Sequence, residues 1–386
     1  MREDEPGSVS AALAAHIRQG IADEGGWIPF DRFMHAALYT PGLGYYARDS
    51  RQFGLLPSSG SDFVTAPELS PLFGRALAVQ VAQGLEATGV DEVWEFGAGS
   101  GALAEQLLGA LGERVRRYTI VDVSCALRDR QRQRLAPFGD RVVWAERLPA
   151  AIEGVVIGNE VLDAMPARLI AFDGTRWRER GVAVHEGRFA WADQDRRDEE
   201  DDPAAASASS RSDTDPPDLR PPLDGPFVPG TVTELHSQAQ AFVATLASCL
   251  TRGLALFIDY GFPEAEYYHP QRTGGTLMCH RGHQSDADPL SDVGLKDITV
   301  HVDFTAIALA GQAAGLQVIG YTSQAHFLMN CGLLELMAQA TPREIAHAQK
   351  LLTEHEMGEL FKVIALAPGE PLDAVGFRHG DRSHRL

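Results

Sequence analysis

The stretch "VWEFGAGSGAL" (93–103) constrains the fold more than any other, because glycines at 97, 99 and 101 join an apolar run to a helical segment. Small residues at such a turn let a ligand approach the backbone without meeting a Cβ. Around it, "EVWEFG", "RYTIVDVS", "DRVVWAERL" and "GVVIGNEV" read as strands, and "GALAEQLLGAL" and "ALRDRQRQRL" as helices. Alternation at this pitch predicts an α/β fold of parallel βαβ units with both sheet faces covered.

"GAGSGA" (97–102) fits the dinucleotide fingerprint G-x-G-x-x-G/A and equally the glycine loop of S-adenosylmethionine enzymes. Glu95 separates the two. A dinucleotide brings an anionic pyrophosphate to this loop, and a carboxylate there would repel it. S-adenosylmethionine brings an ammonium and a sulfonium, which a carboxylate attracts. The predicted cofactor contacts are therefore Glu95, Gly97, Ala98, Gly99 and Gly101. Asp122, with Val123 beside it, ends the second strand where this fold presents an acid to ribose hydroxyls. The competing readings are a carboxylate at a helix N-terminus for Glu95 and a helix cap for Asp122. The adenine is expected near "WAERL" (144–148).

Elsewhere, 10–40 reads as two short amphipathic helices with a break at Gly25-Gly26. Residues 70–89 read as a helix with Ser70 at the N-cap and Pro71 at the first position. "RLIAFDGTRWRERGVAVHEGRFAWADQ" (168–194) predicts an antiparallel insertion. The acidic, Ser- and Pro-rich 193–226 predicts a disordered surface loop. "ELHSQAQAFVATLASCL" reads as a helix and "GLALFIDYGF" as a buried strand, followed by a long loop. "LQVIGYT" and "LFKVIALAP" come last as strands. The resulting division is a helical cap (1–90), two halves of a core (91–167 and 236–386), an insertion between them (168–235), and a second insertion at 262–303.

The net charge of −19 argues against nucleic acid or an anionic membrane as the main partner, because phosphate binding needs dense Lys and Arg. The four cysteines are widely spaced, so neither a metal site nor a disulfide framework is expected. No apolar run spans a bilayer. The acidic "MREDEPGSVS" resembles no secretory or mitochondrial leader, which predicts a cytoplasmic location.

In order along the chain come "GYY" (44–46), "GSDFVTAPELSPLFG" (60–74), "EFGAGSGAL", "VDVS", "NEVLDAMP" (159–166), "WRER" (177–180), "FIDYGF" (257–262) and "DITVHVDF" (297–304). Together they resemble the MidA-type methyltransferases, from about residue 30 to about 335. The acidic stretch at 195–225 is a departure from that family. The resemblance implies a seven-stranded class I methyltransferase sheet ending in an antiparallel hairpin, with an N-terminal helical segment and inserted substrate-side elements. It implies S-adenosyl-L-methionine as donor and S-adenosyl-L-homocysteine as product. From the family's eukaryotic members it implies a protein arginine as acceptor, with complex I assembly as the setting and a respiratory-complex subunit as one candidate. A homodimer is among the expected states. By the same resemblance, Asp62, Thr65, Pro67 and Glu68 cap the methionine moiety, although the same residues also read as an ordinary turn and helix start.

Asn159, Glu160 and Asp163 follow a buried strand at the sheet edge where ligands bind in open α/β sheets. A guanidinium pairs bidentately with carboxylate and must lose a proton as the methyl arrives. Glu160 is thus the first candidate clamp and base, Asp163 the second, and Asn159 an orienting amide. Glu234 is a further acid. Tyr45, Tyr46, Tyr260 and His301 are candidate substrate contacts, with core anchoring as the alternative for the tyrosines. His301 and Asp303, two apart on a strand, are also a candidate acid–base pair, with Asp303 as a helix cap the favoured competing reading. Glu160, Asp163 and Glu234 also fit capping roles. Three other functions compete: transfer to a small molecule or another side chain, a dehydrogenase, and a non-catalytic assembly factor that binds the cofactor.

Overall fold

The computed structural model describes residues 6–47, 65–122, 124–195, 220–282, 284–370 and 372–386. The chain opens with α1 (Pro6–Asp23), β1 (Trp27–Pro29) and α2 (Phe30–Tyr39), then α3 (Ala66–Leu69) and α4 (Pro71–Thr88). The core begins with β2 (Glu92–Phe96), α5 (Ala102–Leu111), β3 (Arg117–Val121), α6 (Cys125–Leu135), β4 (Val142–Ala145) and β5 (Ile152–Asn159). An inserted run follows: β6 (Arg168–Phe172), β7 (Trp177–His185), β8 (Arg188–Gln194) and β9 (Val232–Leu235). The core resumes with α7 (Ser237–Cys249) and β10 (Leu250–Phe262). Next come α8 (Glu264–Tyr267), β11 (Met278–Arg281), β12 (Gln284–Asp286), β13 (Asp297–Thr299) and β14 (Val302–Asp303). The chain closes through α9 (Phe304–Ala313), β15 (Leu316–Ser323), α10 (Gln324–Asn330), α11 (Leu333–Met337), α12 (Pro342–Leu352) and β16 (Phe361–Pro368).

Among the described residues the main sheet has eight strands rather than the expected seven. Seven run in the order β15-β16-β10-β5-β2-β3-β4, and the two-residue β14 lies parallel to the end of β10. So short a pairing leaves no periodicity in the sequence. β2, β3, β4, β5 and β10 are parallel neighbours, and β16 runs antiparallel to both β10 and β15. The sheet is mixed and ends in the antiparallel pair expected of the last two strands.

Residues 254–258 and 155–157 are buried on both sides, which explains their unbroken apolar runs. One face packs α4 and α5 in a cluster containing Phe73, Leu77, Leu103 and Leu107. The other packs α7 and α9 through Val243, Leu246, Phe304 and Ile307. Ser70 caps α4 by accepting the Leu72 N–H, Pro71 sits in the first turn, and Gly89 ends the helix at φ 65°.

Three other expectations change. "WIP" (27–29) is a strand between the first two helices, paired with Gly181–Ala183 of β7; three residues are too few to show a period of two. Val232–Leu235 is a strand, so the helix predicted from Glu234 begins at Ser237. The long loop before residue 303 carries a three-stranded sheet, β12-β11-β13. The antiparallel insertion forms as expected, and Glu186 (φ 49°) and Gly187 (φ 78°) make its second turn. Residues 196–219, the bulk of the predicted loop, lie outside the described residues. Among the described residues no helix is long and apolar enough to cross a membrane.

Candidate active site

The strand order reverses between β2 and β5, which leaves a crevice at their carboxyl ends. A cavity of about 560 Å³ opens there. The glycine loop forms one wall. Gly97, Gly99 and Gly101 have φ of 62°, 53° and 82°, the left-handed region that favours glycine. The Gly97 amide donates to the Val121 carbonyl at 3.0 Å, tying the loop to β3. Gly97, Ala98 and Gly99 line the cavity, whereas Gly101 does not and instead opens α5 as its N-cap.

Glu95 lines the cavity from the end of β2 and is 2% exposed. Its Oε2 accepts the Tyr118 hydroxyl at 2.7 Å. Burial pushes its carboxyl up to about 8, the Tyr118 bond pulls it down, and Asp122 adds repulsion. Asp122 takes the Ser124 amide on Oδ1 at 2.9 Å and the Gln131 amide on Oδ2 at 2.8 Å. Gln131 also donates to the Gly99 carbonyl, which couples that acid to the loop. Glu146, Arg147 and Leu148 line the same cavity, in the stretch expected near adenine. Val123 and Asp62 lie outside the described residues.

Thr65 and Pro67 line the cavity from the N-terminal side. Glu68 is not among the lining residues. Its carboxylate accepts from Ser100 Oγ and, at 3.0 Å, from Arg134, so it buttresses the glycine loop from behind.

Asn159, Glu160 and Asp163 all line the cavity where β5 ends. Glu160 has φ 53°, rare for a non-glycine residue, and its Oε1 accepts the Asn159 amide at 2.9 Å. Burial, then Asp259, push the Glu160 carboxyl up to about 8. Asp163 is held well above the usual carboxylate range by burial, Asp259, Glu160 and Asp297. Neither makes an ion pair among the described residues. Buried carboxyls in this state attract a cation, which would favour their charged forms.

Tyr46 lines the cavity and donates to Asp297 Oδ1 at 2.7 Å. Tyr45 is fully buried and packs edge-on against Tyr46, so it anchors the core instead. Glu234 does not line the cavity. Its Oε1 takes the amides of Thr276 (2.7 Å) and Leu277 (3.0 Å) and its Oε2 the Tyr267 hydroxyl (2.8 Å), fastening that turn. Tyr260 packs on Phe361 at 3.8 Å and stacks on His301, and neither lines the cavity. Burial, then Arg272, hold His301 down to about 4, which keeps its ring neutral near pH 7. Asp303 caps α9 by accepting the amides of Thr305 and Ala306.

Sequence reasoning missed His35, Tyr39, Gln238, Phe242, Met165 and Asp297 among the lining residues. His35 and Tyr39 stand four residues apart on α2 with rings 5.5 Å apart, a spacing equally typical of core packing. Asp297 opens the quoted block "DITVHVDF", which was a signal available in the sequence. Among the described residues no group of three or more His, Cys, Asp or Glu side chains could hold a metal ion.

The residues present fit a small cationic nucleoside cofactor. The loop glycines leave room where a Cβ would intrude; at Gly97 it would lie 3.0 Å from Val161 Cγ2. Buried Asn159 Oδ1 lacks a hydrogen-bond partner among the described residues.

Known proteins resemble the chain over most of its length. Residues 76–322 match the family described as "Putative S-adenosyl-L-methionine-dependent methyltransferase". Over 399 residues the chain is 27% identical to "Protein arginine methyltransferase NDUFAF7 homolog, mitochondrial" of Drosophila melanogaster, spanning 93% of this chain and 85% of the relative. Over 405 residues it is 26% identical to "Protein arginine methyltransferase NDUFAF7, mitochondrial" of Danio rerio, spanning 93% and 87%. A Burkholderia thailandensis crystal structure bound to S-adenosyl-homocysteine is 47% identical, with a TM-score of 0.90 over 100% of this chain and 99% of that one. The expectation of a cytoplasmic location is corrected by these relatives, which are designated mitochondrial. An acidic opening stretch describes only itself and carries no compartment.

Proposed function

The chain belongs to the S-adenosyl-L-methionine-dependent methyltransferase family, and from that premise we propose that it methylates an arginine side chain of a partner protein. One observation carries the arginine reading. Glu160, Asp163 and Asp297 line the same cavity as the glycine loop, and the first two make no ion pair among the described residues. A planar guanidinium with five donors pairs bidentately with such carboxylates. The names of the curated relatives support the same acceptor class. The order β4-β3-β2-β5-β10-β16-β15 supports a class I fold, with β14 as an addition.

The cofactor, when bound, supplies an electrophilic methyl on a sulfonium. Gly97, Ala98 and Gly99 admit it to the backbone, Asp122 holds its ribose, and Glu95 attracts its cationic end. Thr65 and Pro67 close the site from the N-terminal side. Glu160 clamps the acceptor guanidinium and takes its proton, Asp163 shares the charge, and Asn159 orients Glu160 through the bond between them.

Incubating the protein with methyl-labelled S-adenosyl-L-methionine and extract of a strain lacking it, then locating label by mass spectrometry, tests this. Label is expected on an arginine of one protein, with a respiratory-complex subunit the first candidate. Label confined to small molecules would replace the arginine reading with a small-molecule one. An absence of label, with the cofactor bound in calorimetry, would favour an assembly factor.

Proton linkage gives a second expectation. With its carboxyl at about 8, Glu95 is largely protonated at pH 7 before a cation arrives. Binding the cofactor should ionise it and release protons. Calorimetry in buffers of different ionisation enthalpy should show this release, and Glu95→Gln should remove most of it. A wild-type enthalpy independent of buffer would detach Glu95 from the cofactor.

A further inference from the structure

Asp259 sits near the end of β10, one residue beyond Ile258, which pairs with Asn159 of β5. It is completely buried. Its Oδ2 accepts three consecutive amides, from Val161 (3.1 Å), Leu162 (2.8 Å) and Asp163 (3.3 Å). Its Oδ1 accepts the Tyr260 amide at 3.0 Å. The turn so gripped begins immediately after Glu160. Glu160 itself donates its amide to the Ile258 carbonyl at 2.9 Å, so both flanks of this residue are tied to β10.

That grip coincides with backbone strain. Glu160 is one of three non-glycine residues with positive φ among the described residues, and the only one of them that lines the cavity. Glycine would take this conformation freely but would remove the carboxyl. A side chain kept in such a conformation persists only where its surroundings over-determine it. Three amides converging on one buried oxygen supply that constraint.

We propose that Asp259 is a positioning residue for methyl transfer: its carboxylate holds the 161–163 turn and thereby aims the Glu160 carboxyl at the acceptor. This rests on the reading that Glu160 receives the acceptor's proton. Charge adds to geometry. The groups facing Glu160 are Asp259 and Tyr260 from β10, Asp297 from β13 and Asp163 from its own turn. The Asn159 side chain and the Ala66 amide favour its ionised form. Asp259 is the largest charge effect on Glu160 after burial. Loss of its charge therefore moves the ionisation of Glu160 to lower pH.

The test compares Asp259→Asn and Asp259→Ala with Glu160→Gln as the reference. The readouts are label transfer from S-adenosyl-L-methionine into extract lacking the protein, S-adenosyl-L-homocysteine affinity by calorimetry, and thermal melting. Asp259→Asn keeps an acceptor oxygen but loses the charge. Its transfer is expected to fall roughly ten- to a hundredfold, a misplacement effect, with homocysteine-product affinity changed less than about threefold. Its rising pH–rate limb should shift to lower pH, and Asp259→Ala should be slower still. Transfer at the wild-type rate would overturn the proposal. So would a loss that merely tracks product affinity with the pH limb unmoved. If Glu160→Gln is inactive while Asp259→Asn is normal, only the positioning role fails. If Glu160→Gln transfers normally, the reading of Glu160 fails, and the positioning role with it. Should Asp259→Asn not fold, Asp259→Asn/Glu160→Gly decides: recovered melting and product binding show that Asp259 restrains strain at 160. A double variant as unfolded as the single one makes Asp259 a general core residue and ends the proposal.

Discussion

Glu160→Gln is expected to lower methyl transfer about a hundredfold or more, the scale of a lost proton-handling group, while leaving S-adenosyl-L-homocysteine affinity within about threefold. The substitution keeps the shape and an acceptor for the Asn159 amide, so the turn should survive. On the proposed arginine reading, what it removes is the negative charge that would pair with a guanidinium and the site that would take its proton. The pH profile should change as well. With its carboxyl at about 8 in the folded chain, Glu160 is mostly protonated at pH 7 and becomes a competent base as pH rises. Wild-type transfer should therefore rise with pH toward 8, and the variant's profile should lose that limb. Calorimetry and initial rates on the same preparation check both parts. Turnover equal to wild type would exclude Glu160 from the chemistry.

Gly97→Val is expected to abolish cofactor binding, with affinity for S-adenosyl-L-homocysteine weakened beyond about a hundredfold. Two causes act together. The backbone stands at φ 62°, where a β-branched residue is strained by about 1–3 kcal/mol. A Cβ there would lie 3.0 Å from Val161 Cγ2, and two further methyls would have to find room on a residue that lines the cavity. Gly97→Ala, with one carbon, should bind measurably but weakly. Isothermal titration of both, alongside melting curves, separates loss of the site from loss of the fold. Unchanged affinity in Gly97→Val would remove the loop from the cofactor site.

The two largest effects fall on residues legible in the sequence, and the reason is local. A glycine loop announces itself because positive φ admits few other residues, and a carboxylate after an apolar strand is conspicuous because water is scarce there. Glu95, Asp122 and Glu160 were found in this way, and all three line one cavity. Glu234 looked equally conspicuous, yet its carboxylate is spent on Thr276, Leu277 and Tyr267. The same residue type serves a ligand or a turn according to what lies opposite, and those partners stand 33 to 43 residues away in the chain. Glu68 shows the same thing, facing Ser100 and Arg134, 32 and 66 residues along the chain, instead of the cavity. Short strands were missed for another reason: Trp27–Pro29 and Val302–Asp303 exist only because a neighbour is present to pair with them.

The sequence by itself determined the parallel core, the closing antiparallel strands, the glycine loop and the acids at the ends of β2, β3 and β5. Each of these is written in contiguous residues through period, backbone conformation or local charge. Only the tertiary structure decided that Tyr46, Asp297 and Glu160 share a cavity, and that Asp259 grips the turn beside Glu160. Those contacts join segments nearly a hundred residues or more apart. They depend on strand order and on which amides a buried carboxylate can reach, and neither is encoded within a single stretch of chain.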